Sequence, residues 1–153
     1  MAVENADEGI KVQIPSPFEQ GHFIGHEDTE HGPKFCRVAT GPQTLWKVKY
    51  LNIDIVVFYH ETCTGGYHWS REIDEVILQQ HSDSSWEHHH KNHFHLHDVD
   101  ANVSIECDKG VSKYITQRKK YLRCIKSGDI HALLFLVDSC DDNPIFTIHS
   151  SSK

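Results

Sequence analysis

No stretch of the chain approaches the roughly 20 consecutive apolar residues of a membrane-spanning helix, so a helical integral membrane protein is excluded. Positive charge is scarce too. Lys and Arg number 15 against 22 Asp and Glu, a formal net charge of −7 with histidine neutral. A surface that neutralises phosphates needs the opposite balance, which argues against a nucleic-acid partner. The Gly-rich phosphate loop, the G-x-S-x-G elbow and the H-E-x-x-H zinc motif are missing, so no cofactor and no enzymatic activity are expected. Cys36, Cys63, Cys107, Cys124 and Cys140 are widely spaced, odd in number and without a C-x-x-C pair, which fits reduced thiols rather than a disulfide framework. The opening MAVENADEGI lacks the basic-then-apolar pattern of a secretory signal. A soluble protein is expected, cytoplasmic or secreted by a non-standard route.

What the chain has in abundance is histidine, 14 of 153 residues, six of them between positions 87 and 97. Imidazole titrates near pH 6.5, so mild acid would neutralise and then reverse the net charge. The length suits a single domain with a substantial core.

Periodicity supplies the architecture. In residues 92–115, NHFHLHDVDANVSIECDKGVSKYI, Phe94 and Leu96 alternate with His93, His95 and His97, and Val103 and Ile105 alternate with Asn102, Ser104 and Glu106. Alternation at period two marks half-buried strands, and residues 98–102 and 108–110 supply turn chemistry before Tyr114 and Ile115. The same grammar recurs. Val12 and Ile14 precede a Gly21 turn and Phe23-Ile24, then a polar loop over 26–33, a strand at 35–38, the turn Thr40-Gly41-Pro42, and a strand with Trp46 and Val48 on one face. A second pass runs through Ile55 and Val57, Gly65-Gly66-Tyr67, Val76-Ile77-Leu78 and Phe94 with Leu96. A third runs through Val103 and Ile105, Tyr114-Ile115, the strand at 121–125, the Ser127-Gly128-Asp129 turn and the apolar run 132–137. Ile14, Val57 and Ile105 lie 43 and 48 residues apart, and Trp46, Phe94 and Phe135 lie 48 and 41 apart.

One four-strand unit cannot bury its apolar face alone, but three around an axis close a barrel and a hairpin cap over one core. The expectation is an all-β protein, a β-trefoil with a pseudo-three-fold axis. Residues 1–9 form an N-terminal tail and 10–153 one domain, with units at about 10–53, 54–101 and 102–153. Ile145 to Ile148, after the turn at 141–144, pairs with the Val12 segment to close the barrel. Helix-like spacing at 70–80 and 112–125 leaves an α+β alternative.

At Gly128-Asp129-Ile130-His131-Ala132, the strand 133–137 and the final strand 145–149, the chain resembles the small mussel β-trefoil lectins that bind galactose and N-acetylgalactosamine. Residues 76–83, ending His81-Ser82-Asp83, are similar to the corresponding place in another unit. The family's His-Pro-x-Gly-Gly run is replaced here by Gly25-His26-Glu27, His68-Trp69-Ser70 and Thr116-Gln117-Arg118. A second resemblance, carried by HHHKNHFHLH and the V-x-I strand after it, is to hisactophilin, a histidine-rich actin-binding trefoil. It implies pH-dependent binding to actin or a membrane surface.

A lectin needs an Asp that accepts sugar hydroxyls, a neutral His beside it and an aromatic ring, all on loops of a rigid scaffold. The candidates are His81 with Asp83 and Asp129 with His131, with Tyr67, Trp69 or Trp86 stacking on the sugar. Partners are then glycans or glycoconjugates, and a homo-oligomer would add avidity. His93, His95 and His97 share one strand face and are candidates for adventitious zinc, although Phe94 and Leu96 turn that face to solvent. Cys63 with His60 or His68 is a conceivable thiol nucleophile without a third orienting group.

Overall fold

The computed structural model describes residues 9–63, 65–99, 102–108, 120–137 and 145–150. The tail at 1–8, the turn positions 100–101 and 109–110, the Tyr114-Ile115 strand, Cys140 and the turn at 141–144 lie outside the described residues.

The alternating sequence becomes thirteen described strands: β1 (Ile10–Gln13), β2 (Phe23–Thr29), β3 (Gly32–Val38), β4 (Leu45–Tyr50), β5 (Val56–Thr62), β6 (Gly65–Arg71), β7 (Glu75–His81), β8 (Phe94–Val99), β9 (Asn102–Cys107), β10 (Tyr121–Ser127), β11 (His131–Val137), β12 (Ile145–Phe146) and β13 (His149–Ser150). Three 3₁₀ turns, Pro42–Thr44, Ser85–His88 and His90–Asn92, are the described helical segments, and among the described residues no helix is long and apolar enough to cross a membrane. Residues 70–80, helical in the alternative reading, form the end of β6, a turn and β7. Residues 121–125 belong to β10.

The first and fourth strands of each unit pair in the barrel wall: Val12 faces Trp46, Val56 faces Phe94, and Val103 faces Phe146. Neighbouring units join through Val48 against Phe58 and Leu96 against Ile105, and Val12 against Ser150 closes the ring. Each unit's second and third strands form a hairpin, β2–β3, β6–β7 and β10–β11, and the three hairpins cap the barrel. The fold is a β-trefoil. Its core holds Trp46, Trp69, Phe58, Phe94, Ile14, Ile24, Ile105, Leu122 and Leu134, all nearly inaccessible. The one polar atom of the Trp46 ring is satisfied, its N–H donating to the Ile24 carbonyl at 2.8 Å.

The structure moves three sequence assignments. Ile145–Phe146 pairs with β9 and not with the Val12 segment; the strand breaks at Thr147-Ile148, and His149–Ser150 meets β1 to close the ring. In the third unit β10 is the second strand and β11 the third, so the barrel equivalent of Trp46 and Phe94 is the buried Phe146 and not Phe135. The cause is unequal spacing: residues 108–120 separate β9 from β10, whereas residues 63–64 separate β5 from β6. An equal-step count therefore slips by one strand. In the first unit the segment 26–33 is mostly hairpin. Residues 26–29 continue β2 and Gly32-Pro33 start β3 around a Glu30-His31 turn, with Gly32 at φ +98° and Thr29 Oγ donating to the Gly32 carbonyl at 2.8 Å.

The hairpins lean on one another as a pinwheel. The β10–β11 tip docks on β3, where the Arg37 N–H donates to the Ile130 carbonyl at 2.6 Å. The buried Arg37 guanidinium clamps the same tip: Nη2 donates to the Asp129 carbonyl at 2.7 Å, Nη1 to the His131 carbonyl, and Nε to Glu19 at 2.8 Å. The β6–β7 tip docks on β11 through Leu136 N–H and the Asp74 carbonyl at 2.7 Å.

Candidate functional site: an open polar cavity beside the first hairpin

Between the β2–β3 hairpin and β6–β7 lies an open cavity of about 460 Å³. Asp28 reaches it from β2, Thr62 from the end of β5, Tyr67 from β6, and Gln80 and His81 from the end of β7, with Ser82 following. Gly65 and Gly66 form a wall of bare main chain. A Cβ on Gly66 would stand 2.1 Å from the His60 carbonyl oxygen, and Gly65 sits at φ +132°, so side chains are excluded there by contact and by conformation. The sequence's Gly-Gly pair thus lets β5, β6 and β7 close up into a cavity wall. Thr62 Oγ braces the pair by donating to the Gly65 carbonyl at 2.9 Å.

Two buried histidine arrangements stand behind this surface. In the first, His26 Nε2 lies 3.1 Å from the Leu45 carbonyl, which can only accept, so Nε2 carries the proton and Nδ1 accepts from the Tyr67 hydroxyl. Burial, reinforced by His60, pushes the His26 pKa down to about 4, and burial also lowers His60, whose ring lies 4.3 Å from that of His26. Burial, with Asp28 adding to it, raises the Tyr67 phenol, which stays protonated. Tyr67 is therefore a neutral donor whose hydroxyl is committed to His26.

In the second arrangement His68 and His81 join Nδ1 to Nδ1 at 2.8 Å, one ring donating and the other accepting, and both lie flat against Trp86, at 4.4 Å and 4.9 Å between centroids. Burial, reinforced by His81, pushes His68 down to about 3. Burial also lowers His81, with Glu61 working against it. His81 Nε2 is 3.6 Å from Glu61, an ion-pair distance too long for a hydrogen bond. Trp86 belongs to the 3₁₀ turn opening the histidine-rich loop, so this stack pins the loop to the β6–β7 hairpin. The buried Asn92 braces the loop internally, its Nδ2 donating to the Trp86 carbonyl at 2.8 Å.

The candidates from the sequence separate accordingly. Tyr67 and His81 line one cavity. Trp69 does not reach it: only 1% exposed, it stacks on Phe58 at 4.1 Å and meets Trp46 and Phe35 edge-on, because every large neighbour on its face of β6 is core. Trp86 is buried beneath the two imidazoles and has no free face for a sugar. Asp83 is exposed, but its carboxylate closes a turn, accepting from Ser85 N at 2.9 Å and Ser85 Oγ at 2.6 Å. These bonds hold its pKa below the usual range. Asp129 is exposed at the β10–β11 tip, its carbonyl taken by Arg37, and His131 Nε2 lies 3.1 Å from Glu27. The two Asp-His pairs are not copies of one site, since His81 ends the third strand of its unit and His131 begins the third strand of the next.

His93, His95 and His97 have separate partners: the Glu87 carbonyl at 2.7 Å, Asp108 at 2.9 Å and Glu106 at 2.7 Å. Among the described residues no three His, Cys, Asp or Glu side chains converge as metal ligands. The Cys63 thiol is free and exposed, while His60 packs on His26 and Tyr67, and His68 lies under Trp86. Asp28, Thr62 and Gln80 were not singled out in the sequence. The one signal pointing to them was the Gly65-Gly66 pair opposite the polar segment 26–33.

The chain is a β-trefoil protein, and comparison with solved structures agrees on the fold. A Polyporus squamosus lectin bound to the Neu5Aca2-6Galb1-4GlcNAc epitope superposes with a TM-score of 0.63 at 9% identity, over 93% of this chain and 49% of that one. The Haemophilus ducreyi cytolethal distending toxin gives 0.63 at 12% identity, over 94% and 84%. Cry35Ab1 gives 0.63 at 13% identity, over 95% and 36%. The chain thus spans about half of the lectin and about a third of Cry35Ab1. No protein-family model and no curated protein matches its sequence.

Proposed function

We propose that this protein is a non-enzymatic glycan-binding β-trefoil whose sugar site is the cavity between β2 and β6–β7. The observation that carries this reading is the lining: an exposed carboxylate (Asp28), an exposed planar amide (Gln80) and bare main chain at Gly65-Gly66, all on paired strands. An ionised carboxylate accepts from two hydroxyls, and an amide both donates and accepts, which matches a ring of hydroxyls better than an apolar pocket does. A galactose-type sugar is the expectation from the sequence resemblance. The Polyporus squamosus lectin, of the same fold, was solved with a galactose-containing glycan, which supports the class of ligand.

On a glycan array the protein is expected to give signal, with Asp28→Ala and Gln80→Ala each weakening the hit about tenfold, a loss of about 1.4 kcal/mol. Asp83→Ala, outside the cavity, is expected to leave the hit within about twofold. A folded protein that binds no glycan rejects the reading.

A second reading has one observation in its favour: His88, His89, His90 and Lys91 are consecutive and exposed on the loop that Trp86 pins down. We propose for it a pH-dependent contact with an acidic partner such as actin or a membrane surface. Co-sedimentation with actin and with anionic vesicles at pH 6.0 and pH 7.5 checks this. Binding is expected at the lower pH, and equal or absent binding at both removes the reading.

A further inference from the structure

The pinwheel of hairpins is hydrogen-bonded at two of its joints and open at the third. Ile130 to Arg37 and Asp74 to Leu136 are the two main-chain closures. At the remaining joint the β2–β3 tip meets β7, and no main-chain hydrogen bond or ladder register links β3 to β7. Main-chain groups on these facing edges have no partner across the joint. The opening is a second cavity, of about 570 Å³.

Its chemistry is graded. Val76, Leu134 and Phe35 are buried at its base, and Ile77 and Leu133 lie above them, Leu133 being 42% exposed. Polar groups rim this aliphatic patch: Glu75 and Gln79 from β7, Lys34 from β3, and His131 from β11. Glu75, Ile77 and Gln79 alternate on one face of β7, so a carboxylate and an amide flank an aliphatic side chain at steps of about 6.6 Å. A pyranose has the same division, C–H groups on its flat face and hydroxyls at its edge.

This cavity and the smaller one share Gln80, and the same hairpin borders both, through Asp28 at one and through His31 and Lys34 at the other. They are two parts of one seam. From Ile77 to His81 that seam runs about 13 Å along β7, more than one sugar ring covers. Resting on the function proposed above, we infer that the seam between the β2–β3 hairpin and β7 is a single extended site for an oligosaccharide. Its terminal sugar sits at Asp28 and His81, and the following sugar lies over Ile77 and Leu133 between Glu75 and Gln79.

The experiment is calorimetric titration of the full chain with two probes, the best-bound oligosaccharide of the array and the free monosaccharide at its terminus. The oligosaccharide is expected to bind at least about tenfold more tightly. Glu75→Ala and Gln79→Ala, both exposed positions, are expected to weaken it about three- to tenfold while leaving the monosaccharide unchanged. Asp28→Ala weakens both probes. Equal affinity for the two probes, with Glu75→Ala and Gln79→Ala silent, overturns the extended site and leaves the glycan-binding reading intact. Absence of any array signal removes that reading and the extended site together.

Discussion

Trp69→Ala is expected to cost about 3–5 kcal/mol, the range for removing a large aromatic ring from a packed core. Small domains have only about 5–15 kcal/mol in total, so the variant should be largely unfolded at 37 °C or close to it. The expectation follows from the ring's surroundings: Phe58 is stacked on it at 4.1 Å, and Phe35 and Trp46 each stand edge-on at 5.4 Å. Deletion would strand three other aromatic rings around a void that the closed barrel cannot collapse to fill. Trp69→Phe is a milder test. It keeps an aromatic ring against Phe58 and removes an indole N–H that has no hydrogen-bond partner, so a cost of about 1–2 kcal/mol is expected. Urea unfolding checks both variants, with the midpoint falling and the slope unchanged. Glycan binding by folded Trp69→Phe should equal that of the parent. A Trp69→Ala variant as stable as the parent would show that the ring is not core, and would return it to the list of sugar-stacking candidates.

The same residue shows where sequence reading ran out. The sequence offers Tyr67 after the Gly65-Gly66 turn and Trp69 two residues on as stacking candidates, and β6 puts both on one strand. Parity assigns a face, but not how deeply each position along that face is covered. Tyr67 reaches the cavity while Trp69, two residues on, is enclosed by rings from β3, β4 and β5. The trefoil itself was legible because Trp46, Phe94, Val12 and Ile105 repeat in strands that face the same core. The third unit was not fully legible, since its first and second strands stand further apart in sequence than those of the second unit. Of the polar candidates, His81 lines the cavity, but the carboxylate close to it in sequence does not. Asp83 closes its own turn, and the acid at the cavity is Asp28, more than fifty residues away. That convergence exists only once the first hairpin lies beside β7. Nothing in residues 26–33, which read as a polar loop, marked Asp28 apart from its neighbours.

Acid is expected to unfold this protein well before its carboxylates are protonated. His26 and His68 are buried and neutral in the fold, with pKa values pushed down to about 4 and about 3, whereas in the unfolded chain both titrate near pH 6.5. Below about pH 6.5 the unfolded state therefore binds protons that the folded state refuses, so stability is fully present above that value and falls as pH drops towards 4. Each such histidine contributes a slope of about 1.4 kcal/mol per pH unit, and the two together should remove on the order of 5 kcal/mol by pH 4.5. His60 and His81, lowered in the same direction, add to the loss. The geometry makes the two sites unable to adapt cheaply. His26 already donates through Nε2, so a second proton would sit on Nδ1 against the Tyr67 hydroxyl. The His68–His81 pair shares one Nδ1–H, and protonating both rings would set two donors face to face at 2.8 Å. Around this pair stand Glu61 from β5 and Asp83, Glu87, His89 and Lys91 from the loop that Trp86 holds down. The carboxylates favour the charged form, but the burial that dominates the shift outweighs them. Urea unfolding at pH 7.5, 6.0 and 5.0 measures the slope directly. His68→Gln should reduce it by about one proton, since it removes one group that the unfolded state titrates and the folded state does not. Stability that is flat from pH 7.5 to pH 5.0 would mean that these imidazoles accept protons within the fold, and that the Trp86 stack opens without unfolding the barrel.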